Sequence, residues 1–301
     1  MTDCSLDDKQ ITRFDQQGFI ALPGQIPRSI FQHAHEAIRD FIDGLCSSID
    51  NNTSDNRICL AGSKHSNSQQ TFIYRVNELM TFQVPETLLL LGCPQLLNIA
   101  ESLCGAGALP VYESIMFHHR ESDGCVKLHQ DMVHDRRSRI VTFGIYLDEA
   151  AAGDGCLRVL PGFQGRKQDI NQLEEALRHN KLEMDTISAK PGDIVLHDVM
   201  APHDALQMSN REQRKTIYME FRSLEHLNSN PRFSDDWIDK RRALVTLAKQ
   251  KHADFKNGEA IALTADEHDF LTSMRHTPVQ VEAANYALPE ALLSHNVSSP
   301  R

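Results

Sequence analysis

The sequence predicts a mainly β fold with flanking helices, and three observations carry that expectation. Apolar runs punctuated by glycine and proline turns crowd the middle of the chain. A stripe of large apolar residues at helical spacing precedes them, and strand signals fade after residue 226. The chain has 301 residues, 41% of them hydrophobic, which is enough for a substantial core. We expect one domain in three regions: a helical support over 1–111, a β core over 112–226 and a helical extension over 227–301.

The elements follow in order. Ile30, Phe31, Ala34, Ala37, Ile38, Phe41 and Ile42 form one helical stripe. The spacing predicts a second helix over 86–103, kinked near Pro94. Between them, 47–70 is rich in Ser, Asn and Asp and reads as a loop. Such helices bury their stripes by packing on the outside of a sheet. In the core, 139–148 reads as a strand, followed by a turn at Gly153 and Gly155 and a short strand ending near Leu160. A polar helical insertion is expected over 168–182. Pro191-Gly192-Asp193 is a turn feeding the apolar strand that reaches His197, with Asp193 shaping the turn, and 214–221 is a further strand. The tail predicts helices over 237–251 and 265–274, bracing the outer helices or forming a homodimer contact rather than a lid.

The chemistry concentrates in a split triad: His129-Gln130-Asp131, then His203, with Arg214 eleven residues further on (203 to 214). Two histidines and one carboxylate occupy one face of a ferrous ion and leave positions open for O2 and a co-substrate. On a strand, His-x-Asp would present both side chains to the same face. His203 must then arrive from another strand. Arg214 offers a planar, bidentate cation for a carboxylate. His197 is the alternative second ligand, but no arginine lies eleven residues beyond it, so we read it as a buried strand histidine. His118, His134 and Asp135 flank the motif as candidate substrate contacts; the bland reading is an exposed strand face and a solvated loop. Arg136 and Arg137 fit that bland reading better.

At these residues the chain resembles the phytanoyl-CoA dioxygenase family of iron- and 2-oxoglutarate-dependent oxygenases. The resemblance spans roughly 72–222, with a fainter echo over 14–24. Leu128-His129-Gln130-Asp131, Asp154-Gly155-Cys156-Leu157 with Leu160-Pro161-Gly162, and Pro191-Gly192-Asp193 leading to His203 and Arg214 carry it. It implies a double-stranded β-helix (a jelly roll, cupin-like) with iron at its open end. Carried over by position, His129, Asp131 and His203 match the iron ligands, and Arg214 matches the partner of the distal 2-oxoglutarate carboxylate. Arg75 and Gln130 match further co-substrate contacts. Two positions depart from the pattern. Gly144 stands where some members have tryptophan, and Ala205 where a serine can touch 2-oxoglutarate. Thr142 or Ser209 would supply the missing hydroxyl. The retained aspartate favours hydroxylation over chlorination, since related halogenases carry a small residue there.

Composition sets bounds. A net charge of −10 and a pI near 5.8 argue against nucleic-acid or acidic-membrane binding. Seven cysteines without a CxxC pair suggest reduced thiols in a cytoplasmic protein. No signal peptide, peroxisomal tripeptide or membrane-length apolar run is expected. The resulting expectation is an Fe(II)/2-oxoglutarate dioxygenase using O2 to oxidise a small metabolite or natural-product intermediate. The competing readings are a non-catalytic cupin-like protein with a structural metal, and a metal-dependent hydrolase or isomerase. A structural metal has no use for Arg214 and Arg75, and turnover of 2-oxoglutarate to succinate separates the oxygenase from both alternatives.

Overall fold

The computed structural model describes residues 5–48, 55–62, 71–120, 126–256, 259 and 261–274. Its first elements are α1 (Asp8–Gln17), β1 (Phe19–Leu22), α2 (Arg28–Ser48), β2 (Ile58–Gly62), β3 (Thr71–Asn77), α3 (Glu86–Leu91) and α4 (Pro94–Cys104). The core continues with β4 (Leu109–His119), β5 (Val126–His129), β6 (Ile140–Tyr146), β7 (Leu157–Val159), α5 (Ile170–Arg178) and β8 (Asp185–Ile187). It closes with β9 (Ile194–Asp198), β10 (His203–Ala205) and β11 (Gln213–Arg222), before α6 (Leu224–Ser229), α7 (Asp235–Asp254) and α8 (Ala265–Ser273).

The strands form two antiparallel sheets, a larger one in the order β1-β9-β6-β11-β4-β3-β2 and a smaller one in the order β5-β10-β7-β8. Alternation along each central strand decides what faces what. Ile217, Met219 and Phe221 of β11 join Val141, Phe143 and Ile145 of β6, and Ile194 and Leu196 of β9, in one core with α2, α3, α4 and α7. The intervening residues take the opposite face. There Tyr146 and Val195 pack with Leu157 and Val159 of the smaller sheet. The fold is a double-stranded β-helix with helices outside the larger sheet. Its interior therefore receives Arg214, Thr216, Tyr218, Glu220 and Arg222 from a single strand.

The outer helices form for the expected reason, with Ile30, Phe31, Ala34, Ile38 and Ile42 buried along α2. The single kinked helix expected over 86–103 is instead two. Pro94 sits in the first turn of α4, where its missing N–H costs nothing, and Cys93 before it is extended at φ −60°, ψ 118°. Gly92 in the break lies against α7: a Cβ there would stand 2.0 Å from the Ala248 carbonyl oxygen. The loop expected over 47–70 contains β2, whose register with β3 recruits Ile58, Cys59 and Leu60 to the sheet edge; residues 49–54 and 63–70 lie outside the described set.

The helical tail packs on the outer layer. Arg241 of α7 pairs with Glu113 of β4 at 2.9 Å, both buried. His268 Nδ1 of α8 hydrogen-bonds Gln83 Oε1 at 2.8 Å. Residues 275–301 are outside the described set. Among the described residues, no helix is long and apolar enough to cross a membrane. Cys46, Cys59, Cys93, Cys104 and Cys156 are free thiols.

Candidate active site

β5 and β10 lie side by side in the smaller sheet, with His129 opposite His203 in the ladder and their ring centroids 4.3 Å apart. His129 Nδ1 is 2.8 Å from the Lys127 carbonyl and His203 Nδ1 is 2.9 Å from the Ala201 carbonyl. A carbonyl oxygen only accepts, so each Nδ1 carries a proton and each Nε2 is the atom turned inward, where it offers a lone pair in the neutral ring. Asp131 Oδ1 is 3.2 Å from His129 Nε2 and 3.7 Å from His203 Nε2. One donor atom from each of the three lies within 4.8 Å of the others, close enough to hold one metal ion.

The expected strand alternation is not what gathers these groups. β5 ends at His129, and Asp131 stands in a bend beyond it. The bend is fixed from β9 and the turn after it: Met132 N donates to the Val199 carbonyl at 3.1 Å. Gln130 Nε2 donates to the Met200 and Arg166 carbonyls at 2.6 and 3.0 Å, and its Oε1 accepts from Gln168 N at 2.9 Å. The Gln130 amide thus engages three backbone groups and braces the bend.

Burial alone would push the Asp131 pKa up, but His203, His129 and His197 outweigh it and hold the carboxyl well below the usual range. Burial, with His129 beside it, lowers His203 to about 3 despite the nearby carboxylate. Neutral imidazole and ionised carboxylate are the states that bind metal.

Arg214 opens the inner face of β11 and is 1% exposed. Its guanidinium donates to Thr216 Oγ1 at 3.2 Å and lies 5.3 Å from the Tyr146 ring centroid, with no carboxylate partner among the described residues. Arg75, across β4 on the same face, is also buried without a carboxylate, 5.8 Å from the Tyr112 ring centroid. Leaving a buried cation unpaired is costly. Two such cations lie on one face of the sheet. His118 pairs in register with Arg214, points inward as expected, and leaves its Nε2 buried without a partner. Burial first, then Arg214, His119 and Arg75, keep His118 neutral.

Thr142 lies on the inner face between Glu220 and His197. Ser209 does not supply a hydroxyl to the site: its N–H and Oγ engage Asp154 Oδ1 and the Gly153 carbonyl. Asp135 is exposed and paired with Arg137 at 2.6 Å. His134 is half-buried, edge-on to His226 with centroids 6.5 Å apart. Sequence reasoning missed Tyr218. It lies opposite Gly144 on the interior face, and a Cβ at 144 would stand 3.2 Å from its Cε1. The ring thus takes the space a larger residue at 144 would fill. Two signals pointed to it: its spacing of four from Arg214 along one strand, and the glycine itself.

Fold and site together define a double-stranded β-helix protein with a two-histidine, one-carboxylate cluster and two buried arginines on the interior face. The chain belongs to the phytanoyl-CoA dioxygenase family: the model described as Phytanoyl-CoA dioxygenase (PhyH) matches residues 14–216. Among solved structures, AviO1 from Streptomyces viridochromogenes Tue57 is similar at 23% identity and TM-score 0.60, over 73% of this chain and 96% of that one. EvdMO1 matches at 22% identity and TM-score 0.60, over 72% of this chain and 50% of its own, so the match spans about half its length. EctD from S. alaskensis, solved with 2-oxoglutarate and 5-hydroxyectoine, matches at 18% identity and TM-score 0.58, over 75% of this chain and 79% of that one. At these identities the likeness is one of fold. No curated protein sequence matches.

Proposed function

We propose that this protein is an Fe(II)- and 2-oxoglutarate-dependent dioxygenase that hydroxylates a C–H bond of a small metabolite or natural-product intermediate. The observation that carries the reading is Arg214, buried on the interior face of β11 with no carboxylate partner among the described residues, in a fold that also gathers His129, Asp131 and His203. A structural metal would leave that cation without a purpose. The donor set also suits iron: imidazole nitrogen and carboxylate oxygen on one side, with the remaining side left to exogenous ligands.

In this reading His129 Nε2, Asp131 Oδ1 and His203 Nε2 hold Fe(II). Arg214 pairs with the far carboxylate of 2-oxoglutarate, where a forked, charge-assisted contact fixes orientation as well as affinity. Arg75 and neutral His118 complete that end of the pocket, and Tyr218 and Thr142 wall it. Iron, when bound, supplies the O2 activation that protein side chains lack; the co-substrate leaves as succinate and CO2. The protein's part is to hold the substrate C–H in register, where small misplacements are costly. EctD, described with 5-hydroxyectoine, supports a small polar substrate rather than a macromolecule.

Incubation with Fe(II), 2-oxoglutarate and 18O2 tests the reading. One labelled oxygen should enter succinate, slowly without substrate and faster with it. The product should gain one labelled oxygen. A product lighter by two hydrogens would point to desaturation instead. Unlabelled succinate, or none with any candidate substrate, would overturn the assignment.

A further inference from the structure

We propose that His197 is a positioning residue for the metal-binding carboxylate, holding Asp131 by Oδ2 so that Oδ1 is the atom turned toward His129 and His203. The inference rests on the metal reading above and goes beyond its ligand set.

Asp131 lies past the end of β5, so no strand ladder orients its side chain. His197 Nε2 lies 3.0 Å from Asp131 Oδ2, while Oδ1 faces the other two histidines at 3.2 and 3.7 Å. Each carboxylate oxygen therefore has its own side. A carboxylate only accepts, so His197 Nε2 donates, and in the neutral tautomer that leaves Nδ1 bare. That Nδ1 is buried and has no hydrogen-bond partner among the described residues. The ring is 2% exposed, and among the described residues its hydrogen bond is the one to Asp131. A buried imidazole normally satisfies both nitrogens. Here one is sacrificed while the other reaches the carboxylate.

The placement is also mechanically sound. β9 is locked between β1 and β6, with His197 in register with Phe19 and Thr142. Val199 and Met200, just after the strand, hold the backbone of the Asp131 bend. One segment thus fixes both the backbone and the side chain of the carboxylate ligand. The rival role for His197 is direct ligation in place of His203. Its Nε2 instead lies on the Oδ2 side, and His203 stands opposite His129 in the ladder.

The test compares wild type, His197→Leu, His197→Gln and His203→Ala by anaerobic calorimetry with Fe(II), and by absorption spectroscopy with Co(II). Removing an outer partner of a ligand typically weakens metal binding by roughly 10–100-fold. His197→Leu should fall in that range and alter the Co(II) bands. His197→Gln, which keeps a donor, should recover part of the affinity and the wild-type bands. His203→Ala should lose binding altogether. Wild-type affinity and bands in His197→Leu would overturn the proposal, and so would a loss as complete as that of His203→Ala, which would make His197 a ligand. Absence of metal binding by wild type would overturn the metal reading, and this inference with it. A long-range 1H–15N spectrum of the metal-free wild type gives a test independent of any variant's folding. One imidazole should be protonated at Nε2 and bare at Nδ1, with signals assigned by their loss in His197→Gln. An Nδ1-protonated His197 would refute the arrangement.

Discussion

Tyr218 and Gly144 face each other across β11 and β6, and the tyrosine ring lies 3.2 Å from where a Cβ on residue 144 would stand. Gly144 has an ordinary strand conformation, so the constraint is space, not backbone. Gly144→Ala should cost about 1 kcal/mol, at the lower end of overpacking penalties, and Gly144→Trp more. Adding Tyr218→Ala should relieve part of the Gly144→Trp penalty, because the two residues share one volume. Denaturant unfolding of the four proteins in that cycle measures the coupling. Strictly additive losses would show that the ring does not occupy that space.

Arg214 is the second prediction. Arg214→Ala should weaken 2-oxoglutarate binding by at least ~2 kcal/mol, as truncation of one partner in a buried charge pair does, with Fe(II) affinity nearly intact. Arg214→Lys should recover only part, since an ammonium lacks the guanidinium fork. Calorimetry on the metal-loaded protein separates the two ligands. Normal 2-oxoglutarate binding by Arg214→Ala together with its loss in Arg75→Ala would reassign the carboxylate to Arg75.

The third concerns the brace between α7 and β4. Glu113 and Arg241 are both buried and 2.9 Å apart. Removing either partner alone should destabilise by about 3–5 kcal/mol, because the survivor is a buried, uncompensated charge. The paired replacement Glu113→Leu with Arg241→Met should cost much less. Equal unfolding free energies for the single and double variants would contradict this.

The fourth is a pH dependence. Arg222 donates to His226 Nε2 at 3.3 Å, a bond that requires neutral imidazole. Burial first, then Arg222 and His134, lower the His226 pKa to about 4. Its unfolded value is about 6.5. Between those values the unfolded chain binds a proton that the folded protein does not. This contribution to stability is therefore present above pH of about 6.5 and is lost as pH falls toward about 4. The limiting slope is about 1.4 kcal/mol per pH unit for one such group. His226→Gln should flatten the limb in part, since buried His118 acts in the same direction. Chemical unfolding of the metal-free protein across this range reads the slope. An unchanged slope in His226→Gln would exclude the effect.

Much of the fold was readable from local pattern. Apolar runs over 139–148 and 194–197 and the strand signal over 214–221 were legible as strands, and the helices on one side and the smaller sheet on the other cover their two faces. The apolar stripe of α2, the Pro-Gly turn before β9 and the sequence HxD…H…R are likewise local signals, written in adjacent residues. What they could not specify depends on partners distant in sequence. β2 is a strand because β3 offers it an edge. Gly92 and Pro94 break a helix where α7 packs. Gln130 turns to backbone carbonyls at 166 and 200 rather than to the pocket. The same holds for the carboxylate itself. Asp131 could be recognised as a ligand from its neighbour His129, but its orientation is set by His197, sixty-six residues away (131 to 197). Spacing identifies which donors a chain carries. Only tertiary packing places a buried hydrogen-bond partner against each one.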